Sequence, residues 1–268
     1  DPDTAADEDT PVIHPELGTN VAMRSVQKGG DIDQAFAQAD HVVRQMYRVP
    51  RLAPSPLETR GVIGDYDPAK DFLTVWASTQ APHQVKRYLA QILERPEETI
   101  RVVAPEVGGS FGIKDCLLPE DVLMPFLSLR LQKPVKWIED RQENLLTYHG
   151  RGMSLDMEAA VKSDGTFLGI RVSIVADLGV YFYFTSPFPL FNAARRITGP
   201  YQVPAVHAQL LGVITTKTPT AAYRGTGSPE AAFCIERTVD LIADDLGLDP
   251  AEVRRRNYIP ADSFPYTT

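Results

Sequence analysis

The feature that most restricts the fold is a pair of long apolar runs, residues 154–161 and 167–177, separated by Asp164-Gly165. Alternation at period two sends successive side chains to opposite faces of a strand. An Asp-Gly pair supplies the positive φ that a tight turn between antiparallel strands needs. The two runs therefore predict one long hairpin, and the rest of the chain has to cover it. Residues 229–246 are the clearest cover: apolar side chains at helical spacing, Ser228 as the expected N-cap, Pro229 in the first turn and Gly247 after the last. Asp249-Pro250 starts a shorter helix to Asn257 by the same signals.

Further strands are predicted at 41–49, 61–66, 72–78, 99–104, 135–139 and 206–216, and helices at 32–39 (behind Asp31), 85–93 and 119–131. Segment 11–28 shows no clear period. Strands and helices mix without strict βαβ alternation, so the class is α+β, or mixed α/β. Residues 1–19 read as an acidic leader or linker, the first ten too poor in large apolar groups to order themselves. Residues 20–268 form the globular part, as one large domain or two lobes.

The chain has 268 residues, 43% of them hydrophobic, enough to bury a substantial core. Net charge is -8, with no Lys/Arg cluster, which argues against a nucleic acid partner. No apolar run approaches the roughly 18 residues of a membrane span, and no signal peptide pattern opens the chain. Cys116 and Cys234 are far apart in sequence and belong to no CxxC pair. That disfavours a disulfide framework or a Cys-ligated metal, and fits a reducing cytoplasm. The five His residues are scattered, so no protein-ligated metal is expected. A metal carried by an organic cofactor, held through backbone and amide contacts, stays open.

Four segments carry candidate chemistry, each with a plainer reading beside it. Gly108-Gly109-Ser110-Phe111-Gly112, with Lys114, lies between a strand and a helix. Glycines there bring backbone N–H groups up to an anion or oxo group, or simply make a tight turn. It has neither P-loop nor dinucleotide-fingerprint spacing. Gln80, in Ser78-Thr79-Gln80-Ala81-Pro82, is an amide at a rigid corner, or a solvated turn residue; His83 reads as a first-turn helix residue. Arg224 and Gly225 precede a helix N-terminus, where a cation and close backbone approach suit a negative group, or a capping loop needs them. In 52–61 two prolines stiffen the chain; Glu58 and Arg60 can form an ion pair beside a site, although a rigid loop between strands is the preferred reading for most of these residues. The aromatic stretch 181–191 can stack a ring, although core packing is the preferred reading for most of it.

Taken in order, the four segments resemble the molybdopterin-binding subunit of the xanthine dehydrogenase / aldehyde oxidase / aerobic carbon monoxide dehydrogenase family. Residues 54–61 resemble its Pro-x-Glu-x-Arg segment and 78–82 its Ser-Thr-Gln-x-Pro motif. Residues 108–114 resemble its Gly-Gly-x-Phe-Gly-x-Lys loop, and 222–230 its Tyr/Phe-Arg-Gly-x-Gly segment. The resemblance implies a molybdenum cofactor-binding domain with mixed sheets and flanking helices. It implies that Gln80 hydrogen-bonds an oxo ligand of the metal. Gly108, Gly109, Ser110, Phe111 and Gly112 would pack on the cofactor, Arg224 would steady charge beside the substrate, and Gly225 would let the loop come close.

The implied reaction is hydroxylation of an aldehyde or N-heterocycle with water as oxygen source. The implied cofactor is molybdopterin with molybdenum, bare or as its cytosine dinucleotide. Electrons would leave through [2Fe-2S] centres and FAD on partner domains or subunits. Two departures matter. The copper-binding Cys of the carbon monoxide enzymes is replaced by Gly225, which puts that chemistry in doubt. The family's small first domain, and its C-terminal cofactor domain with the catalytic Glu, are expected to be absent from this chain. The expected partners are therefore the second half of the cofactor subunit, an iron-sulfur subunit and an FAD subunit, and the isolated chain is expected to be inactive. The alternatives are a non-catalytic assembly domain of this fold, a carbon monoxide dehydrogenase-like protein without copper, and an unrelated enzyme gripping an anionic small molecule at its glycine loops.

Overall fold

The computed structural model describes residues 2–7 and 9–266. Asp1 and Glu8 of the expected leader, and the last two residues of the 20–268 unit, lie outside the described residues. The predicted hairpin is the centre of the larger sheet. Strands β7 (Gly150–Val161) and β8 (Phe167–Gly179) pair antiparallel, Leu155 opposite Ile174. Gly165 takes φ +84, and the Asp164 carboxylate accepts from Thr166 N at 3.0 Å. β2 (His41–Leu52) flanks β7, while β9 (Ala205–Ile214) runs parallel to β8. β1 (Val21–Gly29) closes the order β1-β9-β8-β7-β2. The sequence shows no period over β1 because it is an edge strand with no fully buried residue.

Helix α6 (Ser228–Leu246) covers this sheet, burying Cys234, Ile235, Val239 and Ile242 against Leu155 and Met157. Each such aliphatic side chain contributes about 1.5–3 kcal/mol by leaving water. The expected N-cap, Ser228, is instead the first helical residue. Gly227 is the cap, at φ +93, and the preceding turn closes with Ser228 N on Gly225 O at 3.0 Å. Gly247 ends α6 at φ +66, and α7 (Pro250–Asn257) follows, capped by Asp249. Helix α1 (Ile32–Ala37), capped by Asp31, packs on β8 and β9.

The smaller sheet has order β5-β4-β3-β6, built from β3 (Gly61–Asp67), β4 (Phe72–Ala77), β5 (Ile100–Val103) and β6 (Val135–Ile138). Helices α2 (Pro82–Ile92) and α3 (Pro119–Leu131) share its core of Val62, Leu73, Val75, Leu89 and Ile100. A third cluster, Ile113, Tyr148 and Ala221, packs between the two sheets. Two short helices were not expected: α4 (Arg141–Thr147), although Asp140 and Glu143 form a capping box at its start, and α5 (Phe188–Arg195). Both are short, with too few apolar positions to show a helical period. Near the N-terminus Ala5 is buried, Asp3 pairs with Arg48 at 2.9 Å, and His14 Nε2 meets Val180 O at 2.7 Å. Among the described residues no helix is long and apolar enough to cross a membrane.

The smaller unit carries a pH-sensitive element. Burial pushes the Asp121 carboxyl up to about 6 from an ordinary 3.8, although the Leu118 N–H and Arg60 pull it back. A carboxyl raised by folding contributes stability that is present below its unfolded pKa and lost as pH rises through the folded one. A two-unit shift corresponds to about 3 kcal/mol. Asp121→Asn removes the ionisation and keeps an oxygen for Leu118. Its urea midpoint is expected to exceed the parent's above pH about 6 and to converge on it in acid. A difference that does not vary with pH would rule this out.

Candidate functional site

The glycine loop leaves β5 and turns sharply, with Gly109, Phe111 and Gly112 at φ +92, +57 and +114. Ser110 ties it together. Its hydroxyl donates to Gln80 Oε1 and accepts from Gly112 N at 3.4 Å and Lys114 N at 3.2 Å. Gln80 N donates to Lys114 O at 3.0 Å, so backbone and side chain both dock Gln80 on the loop. With its carbonyl oxygen taken by Ser110, the Gln80 amide has its NH₂ left to donate, and the Asp115 carboxyl draws on one of those two N–H groups.

On its other side the loop meets the segment before α6. Arg224 N donates to Phe111 O at 3.0 Å. A Cβ on Gly112 would stand 2.0 Å from Ala222 O, so the two backbones touch there. Buried Tyr148 lies beneath, its hydroxyl donating to Gly112 O and, at 3.5 Å, to Ala222 O. Gln80 comes from the end of β4 in the smaller unit, and Arg224 from the chain after β9 in the larger. The site is thus the seam between the two sheets, floored by Ile113, Tyr148 and Ala221.

The seam presents donors. Among the described residues the N–H groups of Ser110, Phe111 and Gly225 have no hydrogen-bond partner, and the Arg224 guanidinium has no carboxylate. Gln80, Phe111, Arg224 and Gly225 are all exposed. Arg224 is held from behind: Arg151 Nη2 donates to Arg224 O at 2.8 Å, while Arg151 Nη1 meets Glu230 Oε2 at 3.1 Å and the guanidinium lies 4.6 Å from the Tyr223 ring centroid. Glu230 Oε1 is buried without a partner. Beside Gln80, burial pushes the Asp115 carboxyl up, and the Gln80 amide opposes the rise.

Gln80, Gly108, Gly109, Ser110, Phe111, Gly112, Arg224 and Gly225 thus fall on one contiguous surface. The expected Glu58–Arg60 pair does not form. The chain bends at Leu57 and Glu58, and the two side chains find different partners: Glu58 reaches Lys114 at 2.6 Å, whereas Arg60 is buried against Glu139 at 2.9 Å. Core packing is also wrong for most of the aromatic stretch, since Tyr181, Phe182, Phe184 and Phe188 are all exposed and Tyr183 alone of these reaches the seam cluster. His83 sits in the first turn of α2, as expected. Sequence reasoning missed Tyr148, Arg151 and Asp115. Asp115 directly follows the loop and was within reach of a motif reading; Tyr148, the C-cap of α4, and Arg151, at the start of β7, belong to no motif.

A seam of free N–H donors, one amide and one unpaired cation, lined by left-handed backbone, suits an anionic, oxygen-rich group. The family comparison agrees. Residues 13–258 match the model of the molybdopterin cofactor-binding domain, and the chain belongs to that family. It is 39% identical over 92% of its length to the 6-hydroxypseudooxynicotine dehydrogenase complex subunit gamma of Paenarthrobacter nicotinovorans, of which it covers 31%. It is 38% identical over 96% of its length to the nicotine 6-hydroxylase large subunit of the same organism, covering 32%. Among solved structures, quinoline 2-oxidoreductase from Pseudomonas putida 86 superposes with a TM-score of 0.93 at 36% identity, over 98% of this chain and 34% of that one. The chain therefore spans about a third of the length of the relatives it matches.

Proposed function

We propose that this chain supplies one wall of the cofactor site of a molybdenum hydroxylase acting on an N-heterocycle or an aldehyde. The observation that carries the reading is the seam itself: one loop, bonded to Gln80 on one side and to Arg224 on the other, with unpartnered amides between. The residues fit the group. Ser110, Phe111 and Gly225 N–H groups and the Gln80 amide would hold its oxygen-rich metal end. The cofactor, when bound, supplies oxygen transfer from water and accepts two electrons.

The chain's own part is positioning and charge. Arg224 places a permanent cation where negative charge develops on the substrate, without the cost of breaking an existing ion pair. Arg151, locked by Glu230 and Tyr223, fixes the backbone from which Arg224 projects. Position 225 is left-handed, and a Cβ there would lie 2.7 Å from Pro229 Cδ, so a Cys is poorly accommodated; this favours heterocycle or aldehyde chemistry over a copper-dependent one. The finer assignments rest on the family. They are a cytosine dinucleotide form of the cofactor, [2Fe-2S] and FAD on partner subunits, a second cofactor domain carrying the base, and a cytoplasmic location, with which two buried free thiols are compatible. The test is composition. The complex, purified from cells supplied with molybdate, is expected to contain stoichiometric molybdenum and a fluorescent pterin. Absence of both overturns the reading.

A further inference from the structure

Three of the four sequence segments converge on one carboxylate oxygen. Glu58 Oε2 accepts from the Lys114 ammonium at 2.6 Å, the Gly108 N–H at 2.7 Å and the Ser78 hydroxyl at 2.8 Å. The backbones join as well, Glu58 N donating to Gly108 O at 3.2 Å. Contact is tight, since a Cβ on Gly108 would lie 2.5 Å from Glu58 Cβ. Gly108 and Lys114 are the two ends of the glycine loop, so a single side chain closes its base.

The pairing is one-sided in a useful way. The Lys114 side chain is 0% exposed, whereas that of Glu58 is 40% exposed. Among the described residues Glu58 is the one carboxylate paired with Lys114. A buried ammonium without its counter-ion is strongly unfavourable, so the loop cannot keep Lys114 inside unless Glu58 stays ionised and in place. Burial pushes the Glu58 carboxyl up, but Lys114, Gly108 and Ser78 together bring it below the usual carboxylate range.

We propose that Glu58 is the positioning residue of the glycine loop: its carboxylate staples Gly108 to Lys114, which holds the Ser110 and Phe111 N–H groups outward and sets the loop's grip on the cofactor. The grip rests on the function proposed above; the staple is a property of the loop alone. Ser78 is part of the same staple, which links the loop base to the strand end that carries Gln80.

The test is amide hydrogen exchange in the full-length assembled protein, with Glu58→Gln, Ser78→Ala and Lys114→Met. Glu58→Gln keeps the shape and removes the charge. It is expected to speed exchange across 108–114 by at least about tenfold while amides of β7, β8 and α6 keep their protection. Ser78→Ala, which removes a single donor and leaves the ion pair, is expected to give a smaller rise in the same amides. In a Lys114→Met background the added effect of Glu58→Gln should shrink to little, because the pair acts as one unit. Molybdenum should also leave the Glu58→Gln protein at least about tenfold faster on dilution into buffer. Unchanged loop exchange in both Glu58→Gln and Ser78→Ala overturns the staple, as does a loss of protection spread evenly over the chain. If Glu58→Gln does not fold, Ser78→Ala decides by itself. Loop exchange that responds in a protein never containing molybdenum keeps the staple and overturns the cofactor reading instead.

Discussion

Arg224→Ala in the assembled enzyme is expected to lower turnover by about two to three orders of magnitude, the range for removing a charge-stabilising donor, while molybdenum content stays at the parent's level. The separation of the two readouts follows from the geometry. The guanidinium is exposed and has no carboxylate partner, so its removal breaks no ion pair and uncovers no buried charge. The parts of Arg224 that hold the seam together are backbone, N–H to Phe111 and carbonyl to Arg151, and alanine keeps both. Loss should therefore fall on kcat/KM and leave cofactor loading untouched. Arg224→Lys restores charge without the planar fork and should recover part of the loss. Parent-like turnover in Arg224→Ala would remove Arg224 from the chemistry.

Gly112→Ala is expected to have the largest effect on folding and loading, costing more than about 4 kcal/mol, in the range reserved for strain that cannot relax. The new Cβ would meet Ala222 O at 2.0 Å and Ala222 C at 2.8 Å, and φ is +114. Both opposing atoms are backbone, and that backbone is pinned through Arg224 N and Tyr148. Either the seam opens or the loop changes course, and each removes the wall that carries Ser110 and Gln80. Gly109→Ala provides the contrast. It is also left-handed, at φ +92, but its Cβ would approach nothing closer than 3.3 Å. Its cost should be the conformational one alone, about 1–2 kcal/mol. Urea midpoints and molybdenum content of the two variants decide the matter: equal effects would show that the close approach to Ala222 is not what the glycine serves.

Most of the architecture was readable where local signals are strong. The Asp164-Gly165 turn, the caps Asp31 and Asp249, Gly247 and the long apolar face of α6 each encode their element within a few residues. Where burial depends on a distant neighbour the reading failed. β1 alternates weakly because it is an edge; α4 and α5 are short, although a capping box marks the start of α4; and Gly227, left-handed, takes the cap position expected of Ser228. Exposure of Tyr181, Phe182, Phe184 and Phe188 could not be read either, since composition does not say which side chains of a turn and the helix start after it meet the core.

The site divides in the same way. Gln80, the loop 108–112 and Arg224-Gly225 were legible because glycine, proline and amide patterns are local, and their order along the chain carries the family resemblance. What joined them was tertiary. The Ser110–Gln80 bond, the Phe111–Arg224 bond and the Tyr148 hydroxyl beneath them join residues from 30 to more than 100 apart in sequence. Glu58 shows the difference most plainly. Its place beside Arg60 in sequence suggested a partner two residues away, and the fold gave it Lys114, 56 residues on. The bend at Leu57 and Glu58 turns the carboxylate away from Arg60, and the partner each side chain finds depends on which distant surface the fold brings against it. Sequence determined the parts of the site and the positive-φ turns that shape them. The packing of one sheet against the other decided that they form one wall, and which carboxylate holds it closed.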